Sequence, residues 1–281
     1  QGAGVPSLSI AALRLTLAAL LLTPLALARV GSEIRGLSRR DLRLALLAGC
    51  LLAAHFATWI SSLAYTSVAS STVLVTTNPI WIALASMLIF HERMRKGLVV
   101  AIGIALGGSA LIFFADSGGG GAGAGIVQPN PLLGNSLALL GALSVSGYFL
   151  IGRELRRRLS LLAYIWLIYT SCAIALIAVA LLAVAPLWGF PAAGWACLLG
   201  LALGPQLLGH SVFKWALKHV SATFIALTIL GEPIGSSLLA LLLFGESLST
   251  LQSAGFGALL IGIYLAARSE KTAGEPGAAR D

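Results

Sequence analysis

Apolar runs of about 20 residues, almost free of charge, recur along this chain from Leu8 to Ala267. A segment inside a bilayer must satisfy all of its backbone N–H and C=O groups without water. Such runs therefore fold only as helices or as strands of a closed barrel. Barrel strands alternate apolar and polar residues over roughly 10 positions, whereas these runs are apolar all round. Helices are the solution that remains. Composition agrees, because charged residues make up 10% of the chain against roughly 25% in soluble domains. Nine spans are predicted, at about 8–28, 44–67, 68–90, 97–115, 131–152, 160–185, 194–217, 221–244 and 250–267. The expected fold class is all-α integral membrane.

The formal net charge of +8 is distributed by side. With the end of the first span placed in the cytoplasm, Arg29, Arg35, Arg39, Arg40 and Arg43 fall in one cytoplasmic segment, and Arg93, Arg95 and Lys96 in the next. Arg153, Arg156, Arg157 and Arg158 fall in a third, and Lys214 and Lys218 flank a fourth. Arg268, Lys271 and Arg280 occupy the tail, and Arg14, the one cation left, lies inside a helix. The opposite connections, around Ser67, 116–130, 186–193 and 245–249, carry no Lys or Arg. This is the positive-inside pattern. It predicts a multi-pass protein of the cell inner (plasma) membrane with a cytoplasmic C-terminus, and the basic charge calls for no nucleic-acid partner. Segment 31–43 is read as a solvated loop. Lys214 and Arg14 are read as side chains that snorkel toward the interface, or in the case of Arg14 lock a helix. Cys50, Cys172 and Cys197 lie inside spans without metal-ligand spacing and are read as packing residues.

The chain also repeats itself. Residues 69–94 (ASSTVLVTTNPIWIALASMLIFHERM) match 223–248 (TFIALTILGEPIGSSLLALLLFGESL): Pro79 aligns with Pro233 and Glu92 with Glu246, each 154 positions on. The same offset pairs Phe90 with Phe244, Gly103 with Gly257, Gly108 with Gly262, and Trp59 with Phe213. Between the halves lies the Gly-rich stretch DSGGGGAGAGIVQPNP, whose composition is that of a flexible linker. The expected organisation is a first repeat at 1–116, a periplasmic linker at 117–130, a second repeat at 131–268 and a disordered cytoplasmic tail at 269–281. Carried backwards, the offset pairs helix 131–152 with a segment before Gln1. That predicts ten spans in the native protein, two inverted five-helix repeats with the first helix missing from this chain. Such inverted repeats are a secondary-transporter architecture, with a site near mid-membrane.

Polar residues at that depth are costly and usually functional or paired. His55, Asn78, Gln206 and Glu232 lie near the middle of four different spans, and Asn78 and Glu232 are repeat mates. Each of the two mates precedes a proline, Pro79 or Pro233, which removes a ladder hydrogen bond and frees the carbonyl four residues back. Those prolines are the predicted hinges. His55, Trp59 and Ser62 share a helix face, as do Gln206, His210, Phe213 and Lys214. Trp81 follows Pro79 closely. The expected substrate-binding residues are His55, Trp59, Asn78, Trp81, Gln206, His210 and Glu232. Aromatic faces beside a carboxylate and imidazoles suit an amphipathic zwitterion or a flat organic cation. Gly103–Gly107, echoed by Gly255, Gly257 and Gly262, indicates close helix packing, either as a support for moving helices or as a homodimer contact.

These features resemble the drug/metabolite transporter superfamily, and in particular its EamA family of ten-helix exporters. The resemblance is carried by AALRLTLAALLL around Arg14, by TNPIWIALASMLIFHERM, and by GEPIGSSLLALLLFGESLSTLQSAGFGALLIGIYL. It implies two inverted five-helix repeats and the export of amino acids or other metabolites, with the aromatic amino acid exporters as one branch. The resulting expectation is an alternating-access exporter of small amphipathic metabolites, most of all aromatic or apolar amino acids, that needs no cofactor. A multidrug or lipophilic-cation exporter is the alternative. A membrane-embedded enzyme is disfavoured, because His91-Glu92 lacks a second histidine and the other histidines lack ligand spacing.

Overall fold

The computed structural model describes residues 5–66, 68–91, 94–116, 130–232, 234–235, 242 and 249–274. Glu92, Pro233, Glu246, the stretch 117–129 and the end of the tail at 275–281 lie outside the described residues. Among the described residues the regular secondary structure is helical, with no strand. In chain order the helices are α1 (Ser7–Arg35), α2 (Arg39–Ser62), α3 (Val68–Val75), α4 (Asn78–Phe90), α5 (Lys96–Asp116), α6 (Pro131–Arg156), α7 (Leu161–Leu182) and α8 (Ala192–Leu201). A π-helix (Ala202–Gly209) leads into α9 (His210–Ala216), followed by α10 (Ala222–Ile229) and α11 (Thr250–Gly274). Every predicted span contains one of these helices. Seven segments are long and apolar enough to cross a membrane among the described residues; Ser71–Ile89 and Ala192–Ala216 each combine neighbouring elements.

The segment read as a loop at 31–43 is largely helical, because α1 continues to Arg35 and α2 begins at Arg39. The reason is local. Ser38 accepts the Asp41 N–H at 3.0 Å and donates its hydroxyl to the Asp41 carboxylate at 2.7 Å. Ser38 thus acts as an N-cap, which satisfies an otherwise orphaned first-turn N–H. At 29 residues α1 spans about 43 Å, more than a hydrocarbon core of about 30 Å.

The chain divides into two compact units. Unit 1 comprises Gln1–Ser61 and Leu143–His219. In it α1 packs along α7 and against α8 and the π-helix, burying Leu15, Tyr164, Ile168, Tyr169, Leu176 and Leu198. Gly49 lets α2 approach α7, since a Cβ there would overlap the Ser171 side chain. One end of the unit is tied by polar links: Arg158 pairs with Asp41 at 3.2 Å and with Glu154, and Ser160 donates its N–H to Glu33 at 2.7 Å.

Unit 2 comprises Ser62–Ala142 and Val220–Asp281. Here α5 packs along α11, while α10 lies against α4 and α11. Ala83, Ala101, Ile102, Ala105, Leu227, Leu230, Leu259 and Ala266 form its core. Half of these are alanines, as expected where helices associate by close backbone approach. The close contact is made by Gly108, Gly255 and Gly262, whereas Gly103, Gly107 and Gly257 have open space where a Cβ would stand. The GxxxG pair singled out in the sequence therefore faces away from the seam.

Candidate functional site

Within unit 1 the site is built around the π-helix. Pro205 cannot donate a backbone N–H, and the helix around it relaxes so that the His210 N–H reaches the Pro205 carbonyl. Wide turns of this kind are rare and occur often at functional sites. They loosen the ladder and leave carbonyls for other partners. Tyr169, fully buried on α7, uses one of them: its hydroxyl donates to the Gln206 carbonyl at 2.8 Å. The Ser211 hydroxyl lies 3.3 Å from the Tyr169 hydroxyl.

Lys214 completes this group. Its Nζ donates to the Tyr169 hydroxyl at 3.2 Å and to the His210 carbonyl at 3.4 Å. The ammonium sits 4.7 Å from the Tyr169 ring centroid and 6.0 Å from that of Tyr148, within cation–π range. The side chain is 3% exposed. The snorkelling expected for Lys214 is therefore not what the structure shows. The residue turns inward because tyrosine faces and loosened carbonyls replace water around its charge.

His55 and Trp59 stack with ring centroids 5.8 Å apart, as their shared helix face predicted. Arg14 lies over the neighbouring Phe56 ring at 4.6 Å, so it too is held among side chains of the unit. Phe56 links Arg14 of α1 to α2, and Lys214 of α9 reaches α7, which packs along α1 within the same unit. Gln206 is 2% exposed, and its Oε1 has no hydrogen-bond partner among the described residues. Of the predicted residues, His55, Trp59, Gln206 and His210 belong to this unit.

Asn78, Pro79, Trp81 and Glu232 belong to unit 2, at two helix breaks. The ladder does not run on through Pro79 with a single missing bond; it stops at Val75 and restarts at Asn78. This places Pro79 in the first turn of α4, where a missing N–H is harmless. The exposed carbonyls are covered by threonines, Thr76 Oγ1 donating to Val73 at 3.0 Å and Thr77 Oγ1 to Leu74 at 2.6 Å. Trp81 Nε1 in turn donates to Thr77 Oγ1 at 3.0 Å, which fixes the indole across the break. Asn78 is buried. The second break is at Leu230–Gly231, with the Gly231 N–H on the Thr228 carbonyl at 2.9 Å. The repeat offset carries Thr76-Thr77 onto these two residues. Glu232 follows it and is exposed.

Sequence reading overlooked Tyr148 and Tyr169 altogether. The usable signal was a lysine four residues from His210 and eight from Gln206, on a helix following Pro205, with buried tyrosines in the two preceding spans.

The EamA-like transporter family model matches residues 2–114 and 132–268, on either side of the Gly-rich stretch. A protein of known crystal structure superposes with a TM-score of 0.78 over 97% of this chain and 91% of that one, at 18% identity. A likeness at that identity shows a shared fold alone. No curated protein matches the chain. With nearly all of its helices covered by the family model, this chain is a multi-pass helical membrane protein that belongs to the EamA-like transporter family.

Proposed function

We propose that this transporter exports small amphipathic metabolites across the cell inner membrane, with aromatic and apolar amino acids as its substrates. The observation that carries the reading is the interior of unit 1. There a histidine–tryptophan stack, a buried glutamine and a buried lysine ringed by tyrosines lie within otherwise apolar spans. Polar and ionisable groups at that depth mark substrate pathways. Aromatic faces beside a few polar groups suit a molecule with an apolar side chain and a charged backbone. The paired helix breaks of unit 2 supply the bending that alternating access requires. The two family matches support two repeats, and the grouped basic residues support a cytoplasmic C-terminus.

Proteoliposomes offered labelled amino acids and organic cations, with and without a pH gradient, test this reading. Uptake of aromatic amino acids above that of cations is expected. Uptake of cations alone would favour the lipophilic-cation alternative, which the aromatic rings and Glu232 would also serve. Glu232→Gln is expected to reduce transport about tenfold or more, as for loss of one charge-assisted contact. Transport unchanged in both Glu232→Gln and Glu232→Ala would remove Glu232 from the mechanism.

A further inference from the structure

The charge of Lys214 is not balanced within its own unit. The acids of unit 1 are Glu33, Asp41 and Glu154. All three are engaged at the tied end, Glu33 with the Ser160 N–H, and Asp41 and Glu154 with Arg158. Among the described residues no carboxylate lies within ion-pair distance of Lys214 Nζ. A buried ammonium without a counter-ion is strongly unfavourable, and protein groups here neutralise it only in part, by two hydrogen bonds and two ring faces. An ammonium has three N–H donors. Two are spent on the Tyr169 hydroxyl and the His210 carbonyl.

A second polar residue, Gln206, is linked to Lys214 through Tyr169. Tyr169 binds the ammonium through its oxygen and the Gln206 backbone through its proton, so one hydroxyl couples the two residues. Gln206 Oε1 is a buried acceptor with no partner among the described residues. A buried cation and a buried acceptor without a partner among the described residues thus lie on one broken helical segment, eight residues apart. We propose that Lys214 binds the carboxylate of the substrate and Gln206 Oε1 accepts from its ammonium, making this an α-amino acid backbone subsite. The assignment rests on the amino-acid reading above and adds the residues that recognise the backbone. Tyr169 is the positioning residue for the carboxylate arm, since its hydroxyl holds Lys214 Nζ.

Three probes separate the contributions: L-phenylalanine, 3-phenylpropanoate, which has the carboxylate alone, and 2-phenylethylamine, which has the ammonium alone. Binding is measured by calorimetry on the full chain in detergent, and transport of phenylalanine in proteoliposomes. Lys214→Gln is expected to weaken phenylalanine and 3-phenylpropanoate about tenfold or more, the size of one charge-assisted hydrogen bond, and to leave 2-phenylethylamine within about twofold. Lys214→Arg keeps the charge and is expected to retain much of the carboxylate affinity.

Tyr169→Phe provides a second variant if Lys214→Gln does not accumulate as folded protein. It is expected to weaken 3-phenylpropanoate selectively, whereas a merely structural tyrosine would lower all three affinities together. Equal losses for all probes, or none, overturn the subsite. Phenylalanine transport that persists while 3-phenylpropanoate binding ignores Lys214 overturns the subsite and spares the amino-acid reading. Lys214-dependent binding of 3-phenylpropanoate without phenylalanine transport does the reverse. A wild-type chain that binds none of the probes overturns both.

Discussion

Replacing Gly262 by leucine is expected to cost several kcal/mol and to leave little monodisperse protein after detergent extraction. A Cβ at Gly262 would stand 2.8 Å from both the Cβ and the backbone nitrogen of Ala105, and 2.9 Å from the Ala101 carbonyl oxygen. Two of those three atoms belong to the backbone of α5, so no rotamer change can make room. Gly108 and Gly255 face each other across the same seam, where a Cβ on either would approach the other's carbonyl to 2.7–2.8 Å. Overpacking a dense core costs about 1–3 kcal/mol, occasionally more, and a leucine forced against backbone belongs at the upper end. Gly103→Leu and Gly107→Leu are the controls. Both sites are open, and both changes are expected to stay within about 0.5 kcal/mol. The comparison is read from thermal unfolding midpoints in one detergent. A Gly262→Leu protein as stable as Gly103→Leu would show that the α5–α11 seam is not closely packed.

Arg156→Met is expected to destabilise unit 1 by about 3 kcal/mol or more. Arg156 is 3% exposed; its Nε donates to the Lys214 carbonyl at 3.0 Å and its Nη1 to the Leu159 carbonyl. It thereby ties the end of α6 to α9 and to the turn before α7. Methionine keeps much of the apolar stem but leaves both carbonyls unpaired. Hydrogen bonds to charged groups contribute about 1.5–3 kcal/mol each, and both donors come from a buried guanidinium. The tie also bears on the site, because the carbonyl it holds belongs to Lys214. Arg156→Met protein that does fold is therefore expected to bind 3-phenylpropanoate more weakly than wild type. An unfolding midpoint equal to that of wild type would mean that these carbonyls find other donors.

The spans were legible because their cause is one-dimensional. A backbone that must satisfy itself in lipid requires a long apolar run, and such runs can be read along the chain without knowing what they pack against. The His55–Trp59 stack was legible for the same reason, since residues four apart on a helix are neighbours wherever the helix lies. The breaks near Pro79 and Glu232 were partly legible. Proline marked where a ladder would fail. It did not reveal that Thr76 and Thr77 would bond the Val73 and Leu74 carbonyls and that the helix would restart at Asn78.

Lys214 and the glycines show where such reading ended. A lysine near the end of a span can snorkel or turn inward, and the choice depends on what stands opposite. Tyr169, Tyr148 and the carbonyls loosened by the π-helix come from distant positions, and only packing brings them to one ammonium. Likewise Gly103, Gly107 and Gly108 are equivalent by composition, yet only Gly108 meets α11. The sequence by itself determined the helical membrane architecture and the family, both of which follow from local hydropathy, periodicity and motif. The tertiary structure alone decided which side chains face an interior partner, because burial and charge neutralisation depend on contacts between segments that the order of residues does not specify.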